Sequence, residues 1–269
     1  MSFWVIVATA VCVTNIVAQS VDKRLQGADC ALGQSRFANY PRSATRGEFR
    51  PNPAFWLKDV DFSCASPWNS DRGQLKAGTL ISKRHIIFAK HFPIAKGTRI
   101  VFVGTDGSVC PLYVDAVKEI DQSDIAIGLL NAEVTPGITP AKILPADYAK
   151  YIGNGNGLPT VSFTQGEKAY VNDLNAISTN AVSRYMTSRS PTDSRRLQFR
   201  DKLIIGDSGN PVFLIVGNEP ILLYCLKTGG AGGGPAIHRY RFEIQQAMDE
   251  LCPGYRLEEF DFCEMEGAL

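Results

Sequence analysis

The segment at residues 206–211 constrains this chain most, because it holds one serine hydroxyl between two glycines and beside a carboxylate. The glycines allow a tight turn, in which the amides of Gly206 and Ser208 point towards an oxygen atom that gains negative charge. A serine hydroxyl becomes a nucleophile only when a base removes its proton. Alone, this segment is more typical of a plain surface turn than of an acyl-transfer site, so its interpretation depends on residues upstream.

The chain has three histidines, and one of them is placed to act as that base. His91 ends a segment, residues 78–91, that predicts two strands joined by a two-residue turn and followed by a short helical turn. Asp124 begins another apolar segment and supplies the carboxylate that fixes the tautomer of an imidazole. His85 and His238 are predicted to be structural. A metal pair of His85 with His91 lacks a third ligand at regular spacing, so no metal is expected.

Three short motifs follow one another along the chain: Ala89-Lys90-His91, Asp124-Ile125-Ala126 and residues 206–211. In this order they resemble the motifs of the trypsin-like (chymotrypsin-fold) serine peptidases, whereas other triad folds place the same residue types in a different chain order. The resemblance covers about residues 54–251. It implies an all-β fold of two six-stranded antiparallel β-barrels with a C-terminal α-helix.

The same resemblance implies a role for each matching residue. His91 is the general base, Asp124 orients it, Ser208 is the nucleophile, and the amides of Gly206 and Ser208 form the oxyanion hole. The implied activity is that of a serine endopeptidase, which acts on a protein or peptide substrate without a cofactor. The alternative is a catalytically inactive module that keeps the peptidase fold for binding.

Two residues depart from the family pattern. Lys90 replaces a second small residue, so its long side chain is expected to reach outward to solvent, and Asn210 replaces a second glycine. In family members that mature by cleavage, an N-terminal ammonium pairs with the aspartate beside the serine, here Asp207. A cut after Arg24 matches that pattern only faintly, so we expect backbone amides or a basic side chain to satisfy Asp207 instead.

Four residues are candidates for the substrate pocket. The resemblance puts Lys202, six residues before the serine, at the base of the pocket, which predicts a preference for acidic side chains. In the alternative, Lys202 points to solvent. Residues 221–228 predict a strand that pairs with an extended substrate and carries Cys225 and Leu226. Gly229 starts a glycine-rich run that predicts a pocket wall or a permissive turn.

The N-terminal segment and the cysteines favour an exported protein. Residues 1–20 are largely apolar, with no charge before Asp22, and predict a cleaved signal peptide, with an uncleaved membrane anchor as the alternative. Six of the seven cysteines follow this segment, an even number that predicts disulfide bonds in an oxidising compartment. The net charge of +1, with dispersed lysines and arginines, provides no basic stripe for nucleic acid. The predicted location is secreted or extracytoplasmic.

These observations divide the chain into five segments. They are a leader (1–20), an N-terminal extension (21–53), a first barrel with the histidine and aspartate (54–134), a second barrel with the serine and the helix (135–251), and a cysteine-containing tail (252–269). Residues 100–103 and 110–117 predict a hairpin that turns around Asp106-Gly107. Apolar residues at helical spacing between Ile244 and Leu251 predict the C-terminal helix.

Overall fold

The computed structural model describes most of the chain and confirms that it is rich in β-structure. The described residues are 3–39, 49–67, 77–178 and 183–263, with only the backbone described for residues 3–12. Parts of all five predicted segments lie outside the described residues, namely 1–2 of the leader, 40–48 of the extension, 68–76 of the first barrel, 179–182 of the second barrel and 264–269 of the tail. The described structure contains two large sheets, one two-stranded sheet and six helical segments.

Two antiparallel sheets are formed by the first half of the chain. The small sheet pairs β1 (Phe37–Asn39) with β2 (Arg50–Pro51). The first large sheet contains β3 (Thr79–Ser82), β4 (His85–Ala89), β5 (Arg99–Val103), β6 (Val109–Glu119) and β7 (Ile125–Leu130), in the spatial order β3-β4-β7-β6-β5. Both predicted hairpins, β3 with β4 and β5 with β6, are confirmed. β4 and β7 are buried along their whole length, which explains why their sequences are almost entirely apolar.

The second large sheet has seven strands. They are β8 (Lys142–Ile143), β9 (Pro159–Phe163), β10 (Ala169–Leu174), β11 (Tyr185–Arg189), β12 (Pro211–Val216), β13 (Glu219–Cys225) and β14 (Gly233–Pro235). Their spatial order is β14-β11-β10-β9-β12-β13-β8. All neighbouring strands are antiparallel except β8, which pairs parallel to β13.

The expectation of six strands in each half is not confirmed, because the two large sheets have five and seven strands among the described residues. One reason is β8, a two-residue strand that adds to the edge of the second sheet although its sequence lies in a connector punctuated by proline and glycine. The β-prone run at residues 202–205 forms a loop and no strand. There the backbone amide of Ile204 donates to Oδ2 of Asp207 at 2.7 Å, so a side chain takes the place of a neighbouring strand.

Six helical segments complete the described structure. They are α1 (Phe3–Leu25), α2 (Cys30–Gly33), α3 (Ala149–Ile152), α4 (Ser194–Gln198), a 3-10 helix (Ile237–Tyr240) and α5 (Arg241–Leu251). The predicted C-terminal helix is confirmed as α5. It packs on β6 and β7 and buries Ile244, Ala247 and Met248.

The first helix, α1, spans the segment predicted as a leader and the start of the extension. Four of its side chains are at most 4% exposed, namely Val13, Val17, Val21 and Leu25. Their four-residue spacing places them on one helix face, and α1 packs on α3 and β12. The expectation of an all-β fold with one C-terminal helix did not include α1. Within the described residues, no helix is both long and apolar enough to cross a membrane.

An ion-pair network fastens α1 to the second sheet. Arg196 of α4 donates to Asp22 of α1 at 2.7 Å and to Asp173 of β10 at 2.8 Å. The side chains of Arg196 and Asp173 are 9% and 4% exposed. At that burial an unpaired charge would be costly, so the network ties the position of α1 to that of β10.

All six cysteines after residue 20 are free thiols, so the expected disulfide bonds are absent from the structure. Cys64 and Cys225 are buried, and burial raises the pKa of each thiol to about 12. Cys30 instead donates to the backbone oxygen of Gln198 at 3.1 Å. The even number of cysteines did not predict disulfide bonds correctly, because the thiols lie in separate parts of the fold and their spacing in the sequence does not reveal this.

Candidate active site

Three side chains that are far apart in the sequence meet in one hydrogen-bonded chain. Nε2 of His91 lies 2.9 Å from Oγ of Ser208, and Nδ1 of His91 lies 2.6 Å from Oδ2 of Asp124. A carboxylate accepts hydrogen bonds and has none to donate, so Nδ1 carries the proton and Nε2 is left to accept from the serine hydroxyl. The Asp124 side chain is 6% exposed, whereas the His91 side chain is 39% exposed and open to a ligand.

The pairing of β4 with β7 places His91 beside Asp124. Ala89, at the end of β4, pairs with Ile125, at the start of β7. The chain turns immediately after β4, and Oδ1 of Asp124 accepts a second hydrogen bond, from the backbone amide of His91 at 2.8 Å. Asp124 therefore holds both the backbone and the ring of the histidine. Lys90, between the strand and His91, points outward as predicted and forms a 2.8 Å ion pair with Glu119.

The turn that carries Ser208 depends on the two glycines that flank it. Gly206 has φ = +100° and Gly209 has φ = +88°, a region that residues with a side chain rarely adopt. The amide of Gly209 donates to the backbone oxygen of Leu226 at 2.8 Å, which fastens the turn to the end of β13. The predicted need for glycine at these positions is confirmed by the backbone conformation.

Asn210, noted in the sequence as a departure, has a structural role beside the serine. It is 2% exposed, and its Nδ2 donates to the backbone oxygen of Phe163 at 2.8 Å. Its own backbone oxygen accepts from the amide of Leu226 at 2.9 Å. Asn210 therefore connects the serine turn to β9 and β13, a function that a glycine would perform only in part.

Replacing Asn210 with alanine is expected to lower the free energy of unfolding by about 1–3 kcal/mol, because the buried oxygen of Phe163 loses its donor. Turnover should fall as well, since the serine turn loses its tie to β9. Urea unfolding and steady-state kinetics measure the two effects. The exposed Asn39→Ala is the control and should stay within about 0.5 kcal/mol of the parent protein. Equal stability of the Asn210 and Asn39 variants would show that Asn210 does not have this role.

The predicted oxyanion hole lies in the same turn. The neighbouring amides have internal acceptors: that of Asp207 donates to Ile204, and that of Asn210 donates to Asp207. Among the residues that the structure describes, no acceptor is assigned to the amide of Ser208. Gly206 and Ser208 both line the cavity beside the nucleophile, so the predicted oxyanion hole borders that cavity.

Asp207 is buried behind the nucleophile. It is 3% exposed, and burial raises the pKa of its carboxyl group. Its Oδ2 accepts from the backbone amide of Ile204, as expected for a carboxylate satisfied by the main chain. Within the described part of the chain, Oδ1 has no hydrogen-bond partner.

A cavity of ≈ 290 Å³ opens next to Ser208. One side is formed by residues 203–208 and the other by residues 226–229, so two of the four predicted pocket residues, Leu226 and Gly229, line it. Lys202 is exposed and is not among the lining residues. Cys225 is also absent from the lining. Cys225 is buried close to Asp124, and the negative charge of that carboxylate helps to raise the pKa of the thiol.

The other two histidines lie apart from this site. His85 is fully buried, with Nδ1 2.8 Å from Oγ of Ser82 and its ring against Tyr255. His238 is 2% exposed and packs edge-on against Tyr148. Burial lowers the pKa of both to about 4. The described residues contain no cluster of three or more histidine, cysteine or acidic side chains suited to a metal ion.

These buried histidines predict a loss of stability in acid. The pKa of a histidine in an unfolded chain is about 6.5, whereas that of folded His238 is about 4. Between these two pH values the unfolded chain binds a proton at this residue and the folded protein does not. Stability present above pH ~6.5 is therefore lost as the pH falls. Between pH 7 and pH 4.5, His238→Leu should lose about 2–3 kcal/mol less than the parent protein, measured by urea unfolding. Identical losses in the two proteins would contradict the lowered pKa.

Comparison with models of known families and with curated proteins found no match for this chain. The interpretation of the site therefore depends on its geometry. Sequence reasoning missed the role of Asn210 and the part that the run Leu203-Ile204-Ile205 plays in the cavity. The apolar character of that run is visible in the sequence, but strands and pocket walls share the same residue types, so the run alone does not indicate a cavity lining.

Proposed function

We propose that this protein is a serine endopeptidase that works through an acyl-enzyme. The observation that carries the proposal is the position of His91, within hydrogen-bond distance of both Asp124 and Ser208. This is the arrangement in which an imidazole takes the proton of a serine hydroxyl while a carboxylate stabilises the resulting imidazolium.

The reaction follows from these positions. Oγ of Ser208 forms a bond to the carbonyl carbon of the peptide as Nε2 of His91 takes the hydroxyl proton. The amides of Gly206 and Ser208 receive the negative oxygen. When the C–N bond breaks, His91 gives the proton to the leaving amine. A water molecule, deprotonated by the same nitrogen, then releases the acid and restores the serine. No cofactor takes part.

The family assignment and the architecture of two barrels belong to the same proposal. His91 and Asp124 come from the end of β4 and the start of β7, whereas Ser208 precedes β12 of the second sheet. A nucleophile from one sheet and a base from the other suit a trypsin-like peptidase whose site lies between two β-barrels.

Secretion is a separate proposal, supported by the apolar leader-like sequence of residues 1–20. The burial of Val13 and Val17 against the rest of the protein predicts that this segment is retained after folding and is not cleaved off. The N-terminal residue of the protein recovered from culture medium, identified by mass spectrometry, tests both: a mature protein that starts after residue 20 would contradict the retention of α1.

A fluorophosphonate probe tests the proposed activity. The probe transfers its phosphonyl group to an activated serine and releases fluoride, so labelling requires both a nucleophile and its base. We expect labelling of the parent protein and none of Ser208→Ala. Ser108→Ala, at an exposed turn of the first sheet, should label like the parent. Equal labelling of the parent and Ser208→Ala would favour the alternative, an inactive binding module.

A further inference from the structure

Four of the ten residues that line the cavity beside Ser208 are aliphatic. Leu203, Ile204 and Ile205 stand on one side and Leu226 on the other. A substrate that places a carbonyl carbon at Oγ of Ser208 must put the adjoining side chain into or across this space. The lining of the cavity therefore bears on which peptide bonds are cleaved.

The two leucines close the inner end of the cavity. A Cβ atom built on Gly232 would lie 2.7 Å from Cδ2 of Leu226 and 3.4 Å from Cδ1 of Leu203. Both methyl groups therefore lie over the bare backbone of Gly232. Behind them, the hydroxyl of Tyr224 is already bonded to Oγ of Ser188 at 2.6 Å. A side chain that enters the cavity meets methyl groups, and the polar atoms beyond them are occupied.

Charged groups are poorly placed to bind an entering side chain. Only two lining residues are titratable, Asp207 and Lys227. The unpartnered oxygen of Asp207 is shielded from solvent, and its other oxygen is bonded to the Ile204 amide. Lys227 is exposed, as is Lys202, which lies outside the lining. An acidic or basic side chain would therefore give up its hydration without gaining a buried counter-charge.

The outer rim continues the apolar surface. Ile204 is 60% exposed, and Ile205 is fully exposed next to Gly206. Large aliphatic side chains left in water beside a nucleophile gain free energy when a ligand covers them. The rim, formed by Ile204 and Ile205, and the floor, formed by Leu203 and Leu226, thus both favour an aliphatic side chain.

We propose that the protein cleaves peptide bonds on the carboxyl side of aliphatic residues, with leucine preferred over alanine and over charged residues. This inference rests on the proposed peptidase function and replaces the acidic preference predicted from Lys202. Leucine has three more carbons than alanine, and each CH2 buried in an apolar pocket improves binding by roughly fourfold. Leucine should therefore exceed alanine in kcat/KM by about 10–100-fold. Glutamate and lysine should fall below alanine.

The test uses tetrapeptide aminomethylcoumarin amides that differ only in the residue before the scissile bond: Leu, Ala, Phe, Glu or Lys. Leu226→Ala should lose most of the preference for leucine and accept phenylalanine better, because the floor is removed. Lys202→Ala, which lies outside the lining, is the matched control and should keep the profile of the parent protein. A parent profile led by glutamate or lysine would overturn the proposal, as would a glutamate preference that disappears in Lys202→Ala or in Lys227→Ala.

A covalent readout separates this proposal from the peptidase function itself. Peptidyl diphenyl phosphonates with the same five residues react when Oγ of Ser208 bonds to phosphorus and phenoxide leaves. Labelling that requires Ser208 and is fastest for leucine supports both proposals. Labelling that requires Ser208 but shows another preference overturns the aliphatic specificity alone. No labelling by any of the five, together with no amide hydrolysis, overturns the peptidase function and the specificity with it.

Discussion

Replacing Ser208 with alanine is expected to lower the turnover number for peptide hydrolysis by about a millionfold. The variant keeps the Gly206 and Gly209 turn, since alanine adopts the backbone conformation of serine, and it loses only the hydroxyl that lies 2.9 Å from Nε2 of His91. His91→Ala should cost a similar factor, because the two residues act as one unit and removing either disables the other. Steady-state hydrolysis of a coumarin amide measures the loss.

Asp124→Asn provides a graded comparison. The amide group retains an oxygen for the backbone amide of His91 but presents donors to Nδ1, which favours the wrong tautomer of the imidazole. A loss of about 10⁴-fold is expected, smaller than the loss for Ser208→Ala. Ser108→Ala, with the same chemical change at an exposed turn, should retain full activity. Residual activity in Ser208→Ala within tenfold of the parent would show that the hydrolysis has another source.

Replacing Val17 with aspartate is expected to prevent stable folding. Val17 is fully buried in the face of α1 that packs on α3 and β12. Burial of a valine contributes about 1.5–3 kcal/mol, and an unpaired carboxylate at the same place costs several kcal/mol more. The total free energy of unfolding of a domain is only about 5–15 kcal/mol. We expect a melting temperature at least about 10 °C lower, or loss of soluble protein.

Asn15→Asp is the matched control for that experiment. It adds the same negative charge to the same helix, two residues away, at an exposed position. Its stability should differ from that of the parent by no more than about 0.5 kcal/mol. If Val17→Asp melts at the same temperature as Asn15→Asp, α1 contributes nothing to the folded core, and its buried valines are not a stabilising contact.

The parts of the site that could be predicted were those encoded in short contiguous motifs. His91 follows a hairpin, Asp124 precedes a buried strand, and Ser208 lies between glycines whose positive φ angles require that residue type. Each local pattern is set by turn chemistry and apolar periodicity over a few residues. The meeting of His91 with Asp124 depends on the pairing of β4 with β7, a contact between distant segments that the motifs themselves do not contain.

The parts that were missed depend on contacts between distant segments. The valines of α1 repeat every four residues, but an apolar N-terminal segment is equally typical of a leader, so the sequence did not show that β12 and α3 cover them. The family resemblance predicts Lys202 at the base of the pocket, because it lies six residues before the serine. The structure instead brings Leu203 into the lining, because the loop is shaped by the bond between Ile204 and Asp207. Cysteine pairing likewise depends on distances that a count does not contain.

The pre-steady-state burst with a 4-nitrophenyl ester tests the central claim most directly, because its amplitude counts the serines that are acylated before any acyl-enzyme is hydrolysed. The convergence of Asp124, His91 and Ser208 predicts a burst of about one equivalent of nitrophenol per protein molecule and none in Ser208→Ala. A burst of equal amplitude in Ser208→Ala, or the same slow hydrolysis by both proteins, would contradict it.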